Sequence, residues 1–333
     1  MAAPRGAAHQ GGRPAGGVPT RGGSIVNHTR PVDDRTVLVD LHFGLEEVLG
    51  SYLLLDERPA LVETGPATCL ALLEEGLAAH GLRVVDLEAV AVTHIHLDHA
   101  GAVGALCRRN PRLRVFVHPV GAPHLADPTR LLRSAQRIYG PLMDTLWGEV
   151  APVPADRITA VEDGETFRAG GRVLRAVATP GHATHHHVYV DEAARVAFTG
   201  DAAGISLPGC PVVRPPTPPP DLDLDAWEAT LDRLERLELR RLYLTHFGVR
   251  DDPPEVLREL RRRLREVEGL LLEGWRAGED VDRLTDRLRV YLQPEVEARC
   301  GSAVAERQEI ASNYRMNVLG YLRYFETRHG RRA

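Results

Sequence analysis

The alternation of apolar and polar positions divides the chain into short strand-like runs and longer helical ones. Residues 36-TVLVDLHF-43, 51-SYLLL-55 and 60-ALVE-63 are apolar runs of strand length separated by turn-forming residues, and they predict three strands. Leu and Ala recur at helical spacing over 67–80. A strand is predicted over 88-EAVAVT-93, a helix over 100-AGAVGALCRR-109 and a strand over 113-LRVFVH-118. Residues 129–147 carry Leu132, Ile138, Leu142 and Leu146 as one helical stripe. Three more strands are predicted over 172-RVLRAVAT-179, 186-HHVYV-190 and 195-RVAFTG-200. The proline-rich stretch 208–225 cannot form a central strand and reads as a stiff extended connection, either a pocket wall or a spacer. Asp225 is placed to cap a helix running to about Leu237, and 241-RLYLTHFG-248 is a strand again. Beyond Pro254 the pattern is helical and charged, over 255–275, 281–292 and 304–327.

Several strands follow one another without an intervening helix, so the expected class is α+β and not a simple alternating α/β chain. The divisions expected are a disordered tail over 1–30, a mixed domain over 31–250 and a helical region over 251–333. The tail expectation rests on about 25 opening residues of Gly, Ala, Pro and Arg, which also lack the apolar core of a signal peptide.

Composition narrows the picture in three places. Net charge is -5 and all 41 basic side chains are arginine, which gives no global electrostatic case for nucleic acid. The arginine-rich run 255–268 interleaves Glu with Arg and reads as a solvated face with i,i+4 pairs. No apolar run approaches the ~20 residues of a membrane helix, so no membrane partner is expected. Cys69, Cys107, Cys210 and Cys300 are scattered with no CxxC pair. They predict neither a thiolate site nor a disulfide framework, and they fit a reducing, cytoplasmic location.

The candidate chemistry sits where strands end. The run AVAVT leads into 93-THIHLDHAG-101, which holds His94, His96, Asp98 and His99. The strand at 172–179 leads to His182, the one at 195–200 to Asp201, and the run 241-RLYLT-245 to His246. Surface or turn histidines would explain one such end, but not four. Five imidazoles and two carboxylates exceed the needs of one tetrahedral ion and fit two ions sharing a carboxylate. A donor set without thiolate suits zinc, iron or manganese.

The series THIHLDH, TPGH, FTGD and LTHFG resembles the ordered motifs of the metallo-β-lactamase superfamily, in a glyoxalase II-like arrangement, across roughly 36–250. The resemblance implies a four-layer αββα sandwich with the metals at one edge, and the helical pattern beyond Pro254 is expected to add a C-terminal helical subdomain over the pocket. It implies that His94, His96 and His182 hold one metal, that Asp98, His99 and His246 hold a second, and that Asp201 bridges them. Glu63, in 63-ETG-65, stands where the family motif carries aspartate, the residue that orients the histidine loop. The implied cofactors are two divalent ions, zinc first, with iron or manganese also compatible. The implied activity is hydrolysis of a small-molecule ester, thioester or lactone by a metal-bridging hydroxide, with Asp98 and Asp201 as catalytic carboxylates. The alternative is a mononuclear iron dioxygenase acting on a thiol persulfide. A nuclease and a non-catalytic binding protein rank below both.

Other residues are candidates around this set. Within 185-HHH-187, alternation allows His186 to stand behind the metals, with its neighbours structural. Tyr139 is a candidate oxyanion donor or a packing residue, and His118 and His124 are candidate substrate contacts. The long C-terminal helices leave a homodimer open.

Overall fold

The computed structural model describes residues 28–330. Two sheets face each other. The first contains β1 (Thr29–Asp33), β2 (Thr36–Asp40), β3 (Gly50–Leu54), β4 (Ala60–Val62), β5 (Ala89–Ala91), β6 (Arg114–Val117) and β7 (Ile158–Ala160), in that spatial order. The second contains β8 (Thr166–Ala169), β9 (Arg172–Ala178), β10 (His187–Asp191), β11 (Val196–Gly200), β12 (Arg241–Leu244) and β13 (Gly248–Arg250), again in sequence order. Strands β1 to β4 form an antiparallel meander, whereas β4, β5 and β6 are mutually parallel. In the second sheet β11 and β12 are parallel, and β9 runs in the same direction because β10 is antiparallel to both neighbours.

Strand periodicity explains why both faces of these sheets are apolar. Successive side chains point to opposite faces. Leu38, Tyr52, Leu54, Val62, Ala91 and Phe116 therefore meet Phe167, Leu174, Tyr189, Phe198 and Tyr243 between the sheets. Their neighbours Val37, Val39, Leu53, Leu61, Val90 and Val115 point outward onto the helices Leu70–Ala79 and Val103–Arg109. On the far side Val177, Val188, Val190, Ala197 and Leu242 are covered by the helices Leu224–Glu235, Pro253–Arg276, Val281–Cys300 and Tyr314–His329. The C-terminal helices thus form the outer layer of the second sheet, and the layers read αββα. Tyr52 ties the sheets together by donating to the carbonyls of Leu244 and Gly248, and Tyr189 does so by donating to that of Val92.

Several boundaries depart from the sequence pattern for identifiable reasons. Of the tail expected over 1–30, residues 1–27 lie outside the described residues, and Thr29 and Arg30 already belong to β1. The stripe over 129–147 is broken at Gly140, whose φ of +52° ends the helix Thr129–Tyr139. Asp223, not Asp225, caps the helix Leu224–Glu235 by accepting from the Ala226 amide. The stretch 304–327 divides at Ser312, and Asn313 caps the second half. Arg262 forms the expected pairs with Glu259 and Glu266, but Arg263 is buried under Glu259 and Glu295. Among the described residues no helix is long and apolar enough to cross a membrane.

The cysteine expectation is corrected. Cys210, in the proline-rich connection, is disulfide-bonded to Cys300 at the end of the helix Val281–Cys300, 90 residues away, while Cys69 and Cys107 are free and buried. Spacing along the chain does not reveal a pair brought together by folding. The scatter of cysteines therefore gives no support to a reducing compartment.

Candidate metal centre

The parallel strands β4 and β5 of one sheet, and β9, β11 and β12 of the other, all end at the same edge of the sandwich. Glu63 directly follows β4, His94 lies three residues past β5, Asp201 directly follows β11, and His246 lies two residues past β12. His182 lies on the loop after β9. Gly181 permits that loop, because its φ is +136° and an added Cβ would lie 2.4 Å from the Cβ of Trp227. Trp227 is buried against the loop, with its ring 5.8 Å from that of His182 and its indole donating to the Ala202 carbonyl. After His96 the chain turns into a single helical turn, Leu97–Ala100, which carries Asp98 and His99. The Thr64 amide and hydroxyl both donate to the His99 carbonyl and hold that turn against β4.

All seven sequence candidates come together, in two groups. His94, His96, His182 and Asp201 form one, and Asp98, His99 and His246 form the other, with donor atoms in each within 4.8 Å of one another. His94 Nε2 and His182 Nε2 each lie 2.9 Å from His96 Nδ1. In the second group His246 Nε2 is 3.5 Å and His99 Nε2 is 3.8 Å from Asp98 Oδ2. Asp201 touches both groups. Its Oδ2 is 3.1 Å from His182 Nε2, and its Oδ1 is 3.5 Å from His99 Nε2 and 3.7 Å from His246 Nε2.

The chemistry of this donor set fits divalent cations. His182 Nδ1 donates to the Pro216 carbonyl and His246 Nδ1 donates to the Val48 carbonyl, so in each neutral ring the lone pair is on Nε2. Both rings turn that lone pair into the cluster. Thr93 Oγ1 donates to Glu63 at 2.5 Å and is left to accept from His94 Nδ1, which gives His94 the same tautomer. Imidazole ligands held by an oxygen acceptor on the other nitrogen are the usual arrangement in metal sites. His99 Nε2 and Asp201 Oδ1 are buried without a hydrogen-bond partner among the described residues. Buried polar atoms of this kind call for a partner, which a cation held by this donor set would supply.

The electrostatics agree. Burial, and then the surrounding imidazoles, push His94 and His96 well below the ordinary histidine range, so they present neutral rings. Burial also pulls on His99, but Asp201, Asp98 and Glu63 outweigh it and hold this ring well above that range. Asp98 is drawn down to about 2 against its burial by His99 and His246, and Asp201 falls well below the carboxylate range through His182 and His99. Two adjacent ionised carboxylates demand positive charge, whether from protons on imidazole or from a cation.

The surrounding candidates separate clearly. Glu63, fully buried, contacts the Thr93 hydroxyl and amide and lies 3.4 Å from His99 Nδ1, so the longer carboxylate still braces the histidine loop. His186 donates through Nδ1 to Thr179 Oγ1 and accepts from the Asp201 amide through Nε2 at 3.1 Å. Tyr139 packs edge-on to Trp147, and both burial and the charge of Asp98 raise its hydroxyl above the ordinary tyrosine value. It thus serves in packing, near enough to Asp98 to feel its charge. His118 tilts against His187 with ring centroids 4.4 Å apart, and neither His118 nor His124 is among the clustered donors. Sequence reasoning missed His185, whose ring lies 5.4 Å from His96 and 4.0 Å from Asp221 by its Nε2. The adjacent 185-HHH-187 was the available signal, but the pattern alone does not say which of the three rings lies beside the donors. It also missed the Val48 carbonyl, because backbone acceptors carry no sequence signature.

Comparison with known proteins agrees with this geometry. A sequence model of the metallo-beta-lactamase superfamily matches residues 50–246. A metallo-beta-lactamase fold-containing protein of Sulfurisphaera tokodaii is 30% identical over 177 residues, which are 52% of this chain and 64% of that one. An atrochrysone carboxyl ACP thioesterase of Aspergillus fumigatus is 28% identical over 197 residues, 59% of this chain and 49% of that one. The chain thus spans about half to two thirds of the length of these curated relatives. A metallo-beta-lactamase family protein from Thermus thermophilus shares the fold, with a TM-score of 0.67 at 23% identity over 90% of this chain and 95% of that one. Since the matched segment begins at β3 and ends on His246, it contains all seven clustered donors, and the chain belongs to the metallo-β-lactamase superfamily.

Proposed function

We propose that the protein is a binuclear metal-dependent hydrolase of a small-molecule thioester, ester or lactone, with zinc as the first candidate metal. The observation that carries this reading is Asp201, whose two oxygens face different donor groups. His94, His96 and His182 would hold one ion and Asp98, His99 and His246 the other, with Asp201 between the two groups. When bound, two divalent cations supply Lewis acidity that polarises a carbonyl and makes water nucleophilic near neutral pH. The chain's own residues do the rest. Asp98 and His96 are the two donors only partly buried, and Asp98, with 23% of its side chain exposed, would orient the attacking water and relay its proton. Tyr139, kept protonated by burial and by the charge of Asp98, would donate to developing negative charge on the substrate oxygen. Glu63, His186 and the Pro216 and Val48 carbonyls keep the donors aimed. A thioester is favoured among the substrates because one relative is an acyl carrier protein thioesterase.

The test combines metal content with activity. Protein purified without added metal is analysed for metal per chain, assayed on an ester, lactone and thioester panel, and monitored for oxygen uptake with a thiol persulfide. Two ions per chain, hydrolysis without oxygen uptake, and loss of both ions and activity in Asp201→Ala are expected. One iron per chain with persulfide-dependent oxygen consumption would make the protein a dioxygenase instead.

A further inference from the structure

The segment Arg214–Thr217 lies between His182 and the C-terminal helices. On one side the Pro216 carbonyl accepts from His182 Nδ1 at 2.8 Å. On the other side the next residue is held by the helix Tyr314–His329. The Thr217 amide donates to Asn317 Oδ1 at 2.8 Å, and the Thr217 hydroxyl donates to the Asn317 carbonyl at 3.4 Å. Asn317 is itself fixed by Ser312, whose hydroxyl donates to its Oδ1 at 3.0 Å and accepts from its Nδ2 at 2.9 Å. Thr217, Asn317 and Ser312 are all buried.

Two features make this a rigid connection. The run 215-PPTPPP-220 contains five prolines, so the Thr217 N–H is the one backbone donor within it, and Asn317 takes it. The helix also meets the segment backbone to backbone. A Cβ added to Gly320 would lie 1.9 Å from the Thr217 carbonyl oxygen, so only glycine allows this approach. Arg214, buried, anchors the start of the segment by lying 4.0 Å over the Tyr314 ring and donating to the Ser312 carbonyl.

We infer that Asn317 is a positioning residue for His182. By holding Thr217 it places the Pro216 carbonyl, which keeps the His182 proton on Nδ1 and turns Nε2 toward His96 and Asp201. The inference rests on the proposed role of His182 as a metal ligand. It makes the C-terminal helix, outside the family match, part of the metal centre.

The experiment compares the full-length wild type with Asn317→Ala, Asn317→Asp, His182→Ala and Phe325→Leu. Asp keeps the acceptor for Thr217, and Phe325 is a core residue of the same helix and serves as the stability control. Zinc affinity is measured by chelator competition, and the His182 tautomer by imidazole nitrogen NMR on the metal-free protein. Asn317→Ala is expected to weaken, by roughly 10- to 100-fold, the zinc equivalent that His182→Ala abolishes, as loss of outer partners does elsewhere. The His182 nitrogen signals shift in the same variant, Asn317→Asp restores both, and Phe325→Leu leaves both unchanged. If Asn317→Ala does not fold, Thr217→Pro removes the same hydrogen bond from the other side and is judged by the same criteria. Wild-type zinc affinity and tautomer in the folded variant, or an equal loss in Phe325→Leu, overturn the inference alone. Unchanged zinc binding in His182→Ala overturns it together with the proposed ligand role.

Discussion

Replacing His186 with leucine tests whether the cluster depends on the residues behind it. His186 is fully buried and makes two hydrogen bonds, to Thr179 Oγ1 at 2.8 Å and from the Asp201 amide at 3.1 Å. Burial, followed by the neighbouring His182, keeps its ring neutral, so Nε2 is free to accept. Leucine fills a similar volume but leaves the buried Asp201 amide without an acceptor, a loss of about 1–3 kcal/mol. The Thr179 hydroxyl keeps a 3.4 Å contact to the His186 carbonyl, so its loss is smaller, and a total of about 2–3 kcal/mol is expected. At roughly 2–4 °C per kcal/mol, the metal-free protein should melt about 4–12 °C lower. Asp201 also loses its backbone anchor, so metal affinity should fall by roughly 10- to 100-fold. His186→Gln should recover most of both, because its amide oxygen reaches close to the position of Nε2. Calorimetry on metal-free protein and chelator competition on the reloaded protein read the two effects. A leucine variant equal to wild type in both would refute the account of how Asp201 is held.

Two further outcomes are expected. Burial opposes ionisation of Asp33, but donors from Arg35, Tyr243, Arg172 and Thr36 outweigh it and hold its carboxyl below the ordinary range. Its contribution to stability is therefore complete above about pH 4 and lost as pH falls through the folded value, so Asp33→Asn should flatten the acid side of urea midpoints taken from pH 6 to pH 2.5, and an unaltered acid slope counts against this. Thiol titration in denaturant should find two free thiols before reduction and four after it, corresponding to Cys69 and Cys107 and then the Cys210–Cys300 pair. Opening that 90-residue loop should cost up to about 4–5 kcal/mol of stability in Cys210→Ser, whereas four thiols without reductant would disprove the bond.

Most of the strands, most of the helices and all seven clustered donors were legible in the order of amino acids alone, whereas β1, β7 and β8, which are short and only partly buried, were not. Strand residues alternate between two buried faces, so Val37, Leu38 and Val39 announce a strand without reference to anything distant. The donors could be found because each follows such a run within a few residues, and local chain order is enough to locate a strand end. What each donor leans on emerged only from the folded chain. His182 rests on the Pro216 carbonyl, His246 on the Val48 carbonyl, and Asp201 on His186, and two of those three supports are backbone atoms that every residue possesses. Folding also brought Cys210 to Cys300 and Asn317 to Thr217, pairs separated by about a hundred residues or slightly fewer. Such contacts depend on how the C-terminal helices lie on the second sheet, and that packing is set by many weak apolar contacts together, none of which is written in a local pattern.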